Sequence, residues 1–280
     1  MMKINKAVIL AAGYGTRFLP FTKSIQKEMV PIVNRPLIDY VVDDCVQAGI
    51  KEIIFVVNGR TKDQIESYYS ENKQLFSYLE RMGKLEKYSI IENLHTKAKF
   101  TYVIQPDEGE YGTAVPLKLV EDYVKDEEAF LLLGGDDFTY NSDGTSETKR
   151  MIDKFNAGEY EAVISAMEVP DEVVSKYGIM TTNKVSNDIL LTDIVEKPKE
   201  GEAKSNLANI SKFIFKPSIY QYLEQQKIDE LHGELLITDT IVMLAKEKPV
   251  LIYIPTGKYY DCGYPEGWLQ ANMDLMPKAS

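Results

Sequence analysis

The sequence predicts an α/β fold in which a mixed, mainly parallel sheet carries helices on both faces. Three observations point there. Short apolar runs alternate with segments of helical period through the first half of the chain, the rhythm of strand–helix–strand units. The first run, Ala7–Ala12, breaks at Gly13 and Gly15, as a buried parallel strand does where its end approaches a ligand. The 280 residues, 44% of them apolar, can bury one large core, and no linker or low-complexity tract divides them. One domain over 1–280 is expected.

Taken in order, Pro36–Gly49 reads as a helix, with Ile38, Val41, Val42, Cys45 and Val46 on one face and Gly49 as its stop. Glu52–Val57 is a strand, and Thr61 with Gln64 has capping-box spacing for the next helix. Residues 70–98 are polar and helical, broken at Gly83. Phe100–Ile104 is a strand, Gly112–Val124 a helix and Ala129–Leu133 a strand. After Asp137 the rhythm changes. A helix is expected at Ser146–Ala157, then strands at 162–169, 178–182, 190–195 and 208–215. Helices follow at 217–225 and 235–246, then a strand at 250–254 and a last helix at 265–276.

The formal charge of −11 argues against a nucleic-acid surface, while an anionic small molecule can still bind where cations cluster. Lys3 and Lys6 before an apolar run imitate a signal peptide, but the run is short and meets Gly-Tyr-Gly-Thr-Arg rather than a cleavage site. No stretch reaches membrane-spanning length. Cys45 and Cys262 lie far apart, giving neither metal spacing nor a disulfide framework, so a reducing, cytoplasmic setting is expected. His95 and His232 lack metal partners at useful spacing, Trp268 reads as core or interface, and Asn209-Ile-Ser is a glycosylation sequon only by pattern.

The chemistry-bearing residues cluster at predicted strand ends. Gly13 and Gly15 bare the backbone N–H groups, and Arg17, Lys23 and Lys27 follow, a combination that suits a polyphosphate. The turn is not the dinucleotide fingerprint, which needs glycine where Phe18 stands, nor a Walker A loop. Gly134-Gly135-Asp136-Asp137 follows a strand, and Asp261 precedes a turn. Carboxylates so placed serve as loop solvation or helix caps, or, beside a phosphate loop, as magnesium ligands. Gln105 ends another strand, with an amide suited to a nucleobase edge, and Gly112-Thr113-Ala114 suggests a close backbone approach. Glu196-Lys197-Pro198 reads by itself as a solvated turn. With no Ser-His-Asp or Cys-His arrangement, metal-assisted displacement at phosphorus is the expected chemistry.

Together these motifs resemble the bacterial and archaeal UTP–glucose-1-phosphate uridylyltransferases, a branch of the sugar-nucleotide pyrophosphorylases. The resemblance runs from Ala7 to about Met276. It is carried by Gly-Tyr-Gly-Thr-Arg-Phe-Leu-Pro-Phe-Thr-Lys from Gly13, Lys-Glu-Met-Val-Pro-Ile-Val from Lys27 and Lys-Tyr-Gly-Ile from Lys176. Val-Glu-Lys-Pro from Val195, Gly-Glu-Leu-Leu-Ile-Thr-Asp from Gly233 and Tyr-Asp-Cys-Gly from Tyr260 complete the set. Leu79–Glu92 is similar to the helical insertion of the uridylyl branch. The resemblance implies a Rossmann-like nucleotide-diphospho-sugar transferase fold, with a nucleotide-binding half over 1–140 and a sugar-phosphate half with the last helix over 141–280. It implies magnesium, UTP and glucose 1-phosphate, and a homodimer or homotetramer. Ala11, Ala12 and Gly13 would line the uracil, with Gln105 and Gly112 reading its edge. Arg17 and Lys27 would neutralise the triphosphate, Asp136 and Asp261 would hold magnesium, and Lys197 would clamp the sugar phosphate. Glu196, Gly178 and Asn209 would meet the hexose hydroxyls.

The chain departs from that family's pattern at Gln26 (usually proline), at Glu110-Tyr-Gly-Thr-Ala (usually Gly-Leu-Gly-His-Ala) and at Ser211-Lys212-Phe213 (usually Gly-Arg-Tyr). A sister enzyme using dTTP or N-acetylglucosamine 1-phosphate therefore stays in view. So does a silent binding module on the same fold. A nicotinamide oxidoreductase is a weaker third reading.

Overall fold

The structure is a computed structural model that describes residues 2–199, 201–228 and 233–277. His232 lies outside the described residues. The first half runs β1 (Lys6–Ala11), β2 (Pro31–Ile32), β3 (Arg35–Pro36), α1 (Leu37–Gln47), β4 (Glu52–Val57), α2 (Gly59–Tyr68), α3 (Lys73–Arg81), β5 (Lys99–Ile104), α4 (Val115–Leu119), α5 (Glu121–Val124) and β6 (Phe130–Gly134). The second half runs β7 (Asp137–Tyr140), α6 (Glu147–Asn156), β8 (Ala162–Glu168), β9 (Gly178–Val185), β10 (Asp188–Glu196), β11 (Leu207–Phe215), α7 (Ile219–Leu223), α8 (Ile237–Ala245), β12 (Val250–Tyr253), β13 (Lys258–Asp261) and α9 (Pro265–Leu275). No helix among the described residues is long and apolar enough to cross a membrane.

Nine strands form one sheet in the order β5-β4-β1-β6-β11-β8-β12-β10-β9. The first four are parallel. Beyond β6 the expectation of a mainly parallel sheet fails. β11 runs antiparallel to β6 and β8, β10 runs antiparallel to β12 and β9, and only the β8–β12 pair is parallel. The reason is connection length. Parallel neighbours need a crossover of a dozen or more residues, and only Ser186 and Asn187 join β9 to β10, with Ser186 at φ 56°. β9 also meets β11 at Ile179 and Ala208, so this end of the sheet curls back on itself.

Helices do cover both faces, because the strands alternate two buried sets. Ile9, Phe55 and Leu131 face one core with Leu37, Ile38, Val41, Val42 and Cys45 of α1. Val8, Ile54, Val56, Phe130 and Leu132 face the other, with Leu117, Val124, Ile219 and Ile241 from the opposite helices. The register aligns Ala11 with Val57, Val57 with Ile104 and Leu10 with Gly134, giving one carboxyl edge. Strand order reverses between β1 and β6, so this edge opens a crevice there.

Several local expectations change. The helix expected over 112–124 starts only at Val115 and breaks at Val120, because Gly112–Ala114 is held against the backbone of Leu235. Thr61 and Gln64 form no capping box. Asn58 caps α2 by accepting from the Thr61 N–H at 2.9 Å, and Gln64 instead bonds Gln26 and Ser24. The polar stretch 70–98 keeps α3 and then falls into short 3-10 turns. β7 and β13, short strands without a run of aliphatic residues, escape the sequence reading; they pair antiparallel, setting Asp137 opposite Asp261.

One buried ion pair ties the layers together. Lys212 of β11 reaches Asp44 of α1 at 2.9 Å, and Asp44 also accepts from the hydroxyls of Ser146 and Thr148 at the start of α6. Burial opposes the charge on Asp44, but Lys212 and the two hydroxyls hold its pKa below the ordinary value. Asp44→Asn leaves Lys212 buried without its counter-charge and is expected to cost about 3–5 kcal/mol at pH 7. Because the native pKa is depressed, Asp44's contribution is present above about pH 4 and is lost on acidification. Urea unfolding of both proteins from pH 7 down to about pH 2 checks this: the gap between them must hold to about pH 4 and narrow below it.

Candidate active site

The crevice at the β1–β6 switch holds a cavity of about 500 Å³. Its walls include Ala12, Gly13, Lys27, Gln105, Gly112 and Asp136, so six of the nine residues expected from sequence at the nucleotide and metal come together. The glycines make this possible. Gly15 has φ 63°, and a Cβ there would stand 3.1 Å from Lys27 and Thr22, so the loop lies directly on the Lys27 side chain. A Cβ on Gly112, at φ 127°, would sit 2.3 Å from the Leu235 carbonyl oxygen, confirming the close backbone approach. Asn58 holds the other side of the loop, donating its side-chain N–H to the Ala12 carbonyl at 2.9 Å. The methyl of Ala11 is in the core, so this residue offers a base only backbone.

Charge at the strand ends is concentrated and incompletely balanced. Lys27 Nζ lies 2.5 Å from Asp136 Oδ2 and 3.2 Å from Glu28 Oε1. Burial works against the Lys27 charge, but these carboxylates raise its pKa above the ordinary value. Burial pushes Glu28 up to about 7 against the pull of Lys27. Asp136, though burial opposes its charge, is kept low by Lys27. Burial and then Asp136 push Asp137 up to about 7, with the Tyr259 hydroxyl, 2.9 Å away, opposing. Burial and then Asp136 also raise Asp261. A Cβ built on Gly263 would meet Asp136 Oδ2 at 2.8 Å and Asp261 Oδ1 at 3.2 Å, so those two carboxylates converge. Two converging, under-compensated carboxylates fit magnesium, which takes one or two protein carboxylates and completes its shell with phosphate oxygens and water. No larger cluster of three or more metal-ligating side chains exists among the described residues.

The remaining expected residues lie outside the cavity wall. Arg17 is exposed, its guanidinium stacked 4.0 Å over the Tyr264 ring. Gly178 opposes Glu196 across β9 and β10, and a Cβ there would meet the Glu196 carboxylate at 2.8 Å. Lys197 is exposed, at the turn after β10. It holds φ 45°, unusual for a side-chain-bearing residue, its N–H donates to Tyr177, and its amine makes no ion pair among the described residues. Asn209 uses its side-chain oxygen to accept from the Ser211 N–H at 3.1 Å.

Sequence reading gave no role to Tyr177 or Glu28, and marked Ser211 only as a departure from the family pattern. The Tyr177 hydroxyl donates to Asp261 at 3.3 Å while its carbonyl accepts from Lys197, joining the two groups. Tyr177 and Glu28 stand inside the quoted motifs and were legible there; Ser211 reaches the cavity only through its left-handed backbone, φ 49°. Two departures from the family pattern point inward: Lys212 pairs with Asp44, and Gln26 is wholly buried. Thr113 instead stands exposed on the cavity wall, its hydroxyl accepting from the Ile237 N–H.

The sequence matches the nucleotidyl transferase family over residues 6–278. The chain belongs to that family. It is 37% identical over 270 residues to a UTP–glucose-1-phosphate uridylyltransferase of Pseudomonas aeruginosa, covering 96% of this chain and 94% of that one. The counterpart of Bacillus subtilis is 34% identical over 276 residues, 98% of this chain and 92% of its own. A UDP-glucose pyrophosphorylase solved with UDP-glucose superposes with a TM-score of 0.87 at 33% identity, covering 99% of this chain and 100% of that one. A UTP-bound enzyme from Acinetobacter baumannii gives 0.83 at 33% identity, over 99% and 95%. The family generally uses magnesium.

Glu28 makes a pH-dependent contribution that can be isolated. Its native pKa, about 7, lies above its unfolded value, so its favourable contribution is full below about pH 4.5 and is lost as pH rises through 7. Glu28→Gln removes that loss. Between pH 5 and pH 8 the variant's stability is expected to shift relative to wild type by about 3 kcal/mol in the variant's favour. Parallel urea titrations at the two pH values test it; identical pH dependence would exclude Glu28 as the titrating group.

Proposed function

We propose that the protein transfers the uridylyl group of UTP to glucose 1-phosphate, giving UDP-glucose and pyrophosphate, with magnesium held by Asp136 and Asp261. The observation that carries this is the Lys27–Asp136 pair, 2.5 Å apart, on the wall of the glycine-lined cavity. A cation and a metal-ligating carboxylate at one strand end suit a triphosphate. Kinship along the whole chain with uridylyltransferases supplies the base and the sugar.

Gly13 and Gly15 leave bare backbone for the phosphates, while Gln105 and Gly112 face the base. Lys27 exchanges Asp136 for phosphate oxygens, and Arg17 adds a second positive charge. The amine of Lys197 holds the phosphate of glucose 1-phosphate, whose oxygen attacks the α-phosphorus in line. Glu196, Gly178 and Asn209 orient the hexose. No side chain acts as a nucleophile, so rate comes from positioning and from charge placed in advance. Magnesium, when bound, screens the phosphates and stabilises the leaving pyrophosphate. Because Lys212 and Gln26 point into the protein, those departures bear on folding, whereas Thr113 and Ser211 line the cavity and bear on substrate choice.

A matrix of UTP, dTTP, ATP, CTP and GTP against glucose, galactose, N-acetylglucosamine and mannose 1-phosphates, followed by pyrophosphate release with and without magnesium, tests the assignment. UTP with glucose 1-phosphate is expected to turn over fastest and only with the metal; another preferred pair would move the protein to a sister branch. Asp136→Asn is expected to keep the fold and lose about two or more orders of magnitude in kcat, and near-normal turnover would remove Asp136 from the metal. Lys197→Ala is expected to raise KM for glucose 1-phosphate and leave KM for UTP unchanged. A defect confined to UTP would contradict that role.

A further inference from the structure

We infer that Tyr14 and Asp107 form a gate over the nucleotide cavity, whose hydrogen bond opens each time UTP enters and UDP-glucose leaves. The inference rests on the nucleotide reading of this cavity. The Tyr14 hydroxyl donates to Asp107 Oδ1 at 2.6 Å. Tyr14 stands just beyond β1 and Asp107 just beyond β5, and β4 lies between those strands. Neighbouring strands are about 4.8 Å apart, so the bond joins walls set about 10 Å apart at their base. It therefore passes over the end of β4. Val56 and Asn58 of that end line the same cavity, as do Tyr14 and Asp107 themselves.

The bond belongs to the rim, not to the core. Tyr14 is 50% exposed and Asp107 is exposed. A phenol donating to a carboxylate is a charge-assisted bond, and the Tyr14 pKa is raised chiefly by that bond. The two loops are held firmly on either side of it. Asn58 fixes Ala12, and the Gly15 backbone lies on Lys27 and Thr22. On the far loop, Leu235 bonds Tyr111 and Ala114, and Glu110 pairs with Lys118 at 2.7 Å. Between these anchors only a short segment carries Asp107, and Gly109, at φ 112° with open space around it, can absorb its swing. The moving parts are thus one tyrosine side chain and a few residues of loop.

A bond made equally before and after binding does not alter affinity, since only a difference between the two states can. It does add to the barrier in both directions. Stopped-flow binding of UTP and UDP-glucose to the full-length wild type, Tyr14→Phe, Asp107→Ala and the double variant reads both rates. Each single variant is expected to raise kon and koff by the same factor, about three- to tenfold, with Kd unchanged. The double variant should go no further, because one bond is lost in every case. Asp107→Asn keeps an acceptor and should show a smaller rise. The KM of pyrophosphate in the reverse reaction should not move, since the phosphates lie at Lys27, away from the rim. A rise in koff alone would overturn the gate and make the residue a contact to the nucleotide. Unchanged rates would overturn it too, as would effects that add in the double variant. Wild-type protein that binds no UTP would instead remove the nucleotide reading on which the gate rests.

Discussion

The ion pair between Lys27 and Asp136 organises the site. Asp136, Asp137 and Asp261 are brought to one place by β6 and the β7–β13 pair, and burial makes their mutual repulsion costly. A cation must stand among them for the strands to end there. Lys27 does so in the protein alone, and the glycine turn is shaped to its stem: a Cβ on Gly15, at φ 63°, would be strained and stand 3.1 Å from Lys27, and one on Gly13 would touch it at 3.4 Å. The loop that would receive the phosphates and the lysine that would neutralise them are therefore one packed unit.

That arrangement explains a division of labour between the two ends of the sheet. The parallel half aligns the ends of β1, β4, β5 and β6 on one edge, which is where backbone N–H groups and carboxylates can face a ligand together. The antiparallel half needs no crossover helices and so can curl, bringing β9 against β11 and placing the Lys197 turn beside Tyr177. Tyr177, bonded to both Asp261 and Lys197, physically links the residues proposed for the metal and for the sugar phosphate.

Relatives that share about a third of their residues superpose on this fold, and the departures show how such change is accommodated. Where the family pattern has an arginine, this chain has Lys212, paired with Asp44 inside the fold. A polar group moved into the interior is tolerated when it is satisfied there. Ser211 and Thr113 are placed otherwise: Ser211 replaces glycine at positive φ, Thr113 stands where the pattern has histidine, and both line the cavity, so they are departures placed to touch a substrate.

The sequence by itself determined the elements with strong periodicity and the residues whose chemistry depends on their immediate neighbours. The strands β1, β4, β5 and β6, the α1 face, the glycine turn and the aspartates after Gly135 were all legible, since alternation, helical period and glycine leave local marks. Tertiary structure alone decided the direction of the second-half strands, the Asn58 cap that displaced Thr61, and the pairing of Asp137 with Asp261. It also decided which departures turn inward and which residues meet across the cavity, as Tyr14 and Asp107 do from 93 residues apart. Local sequence carries the preference of each segment, whereas these outcomes depend on which distant segment arrives beside it, and that is set by packing the whole chain into one sheet.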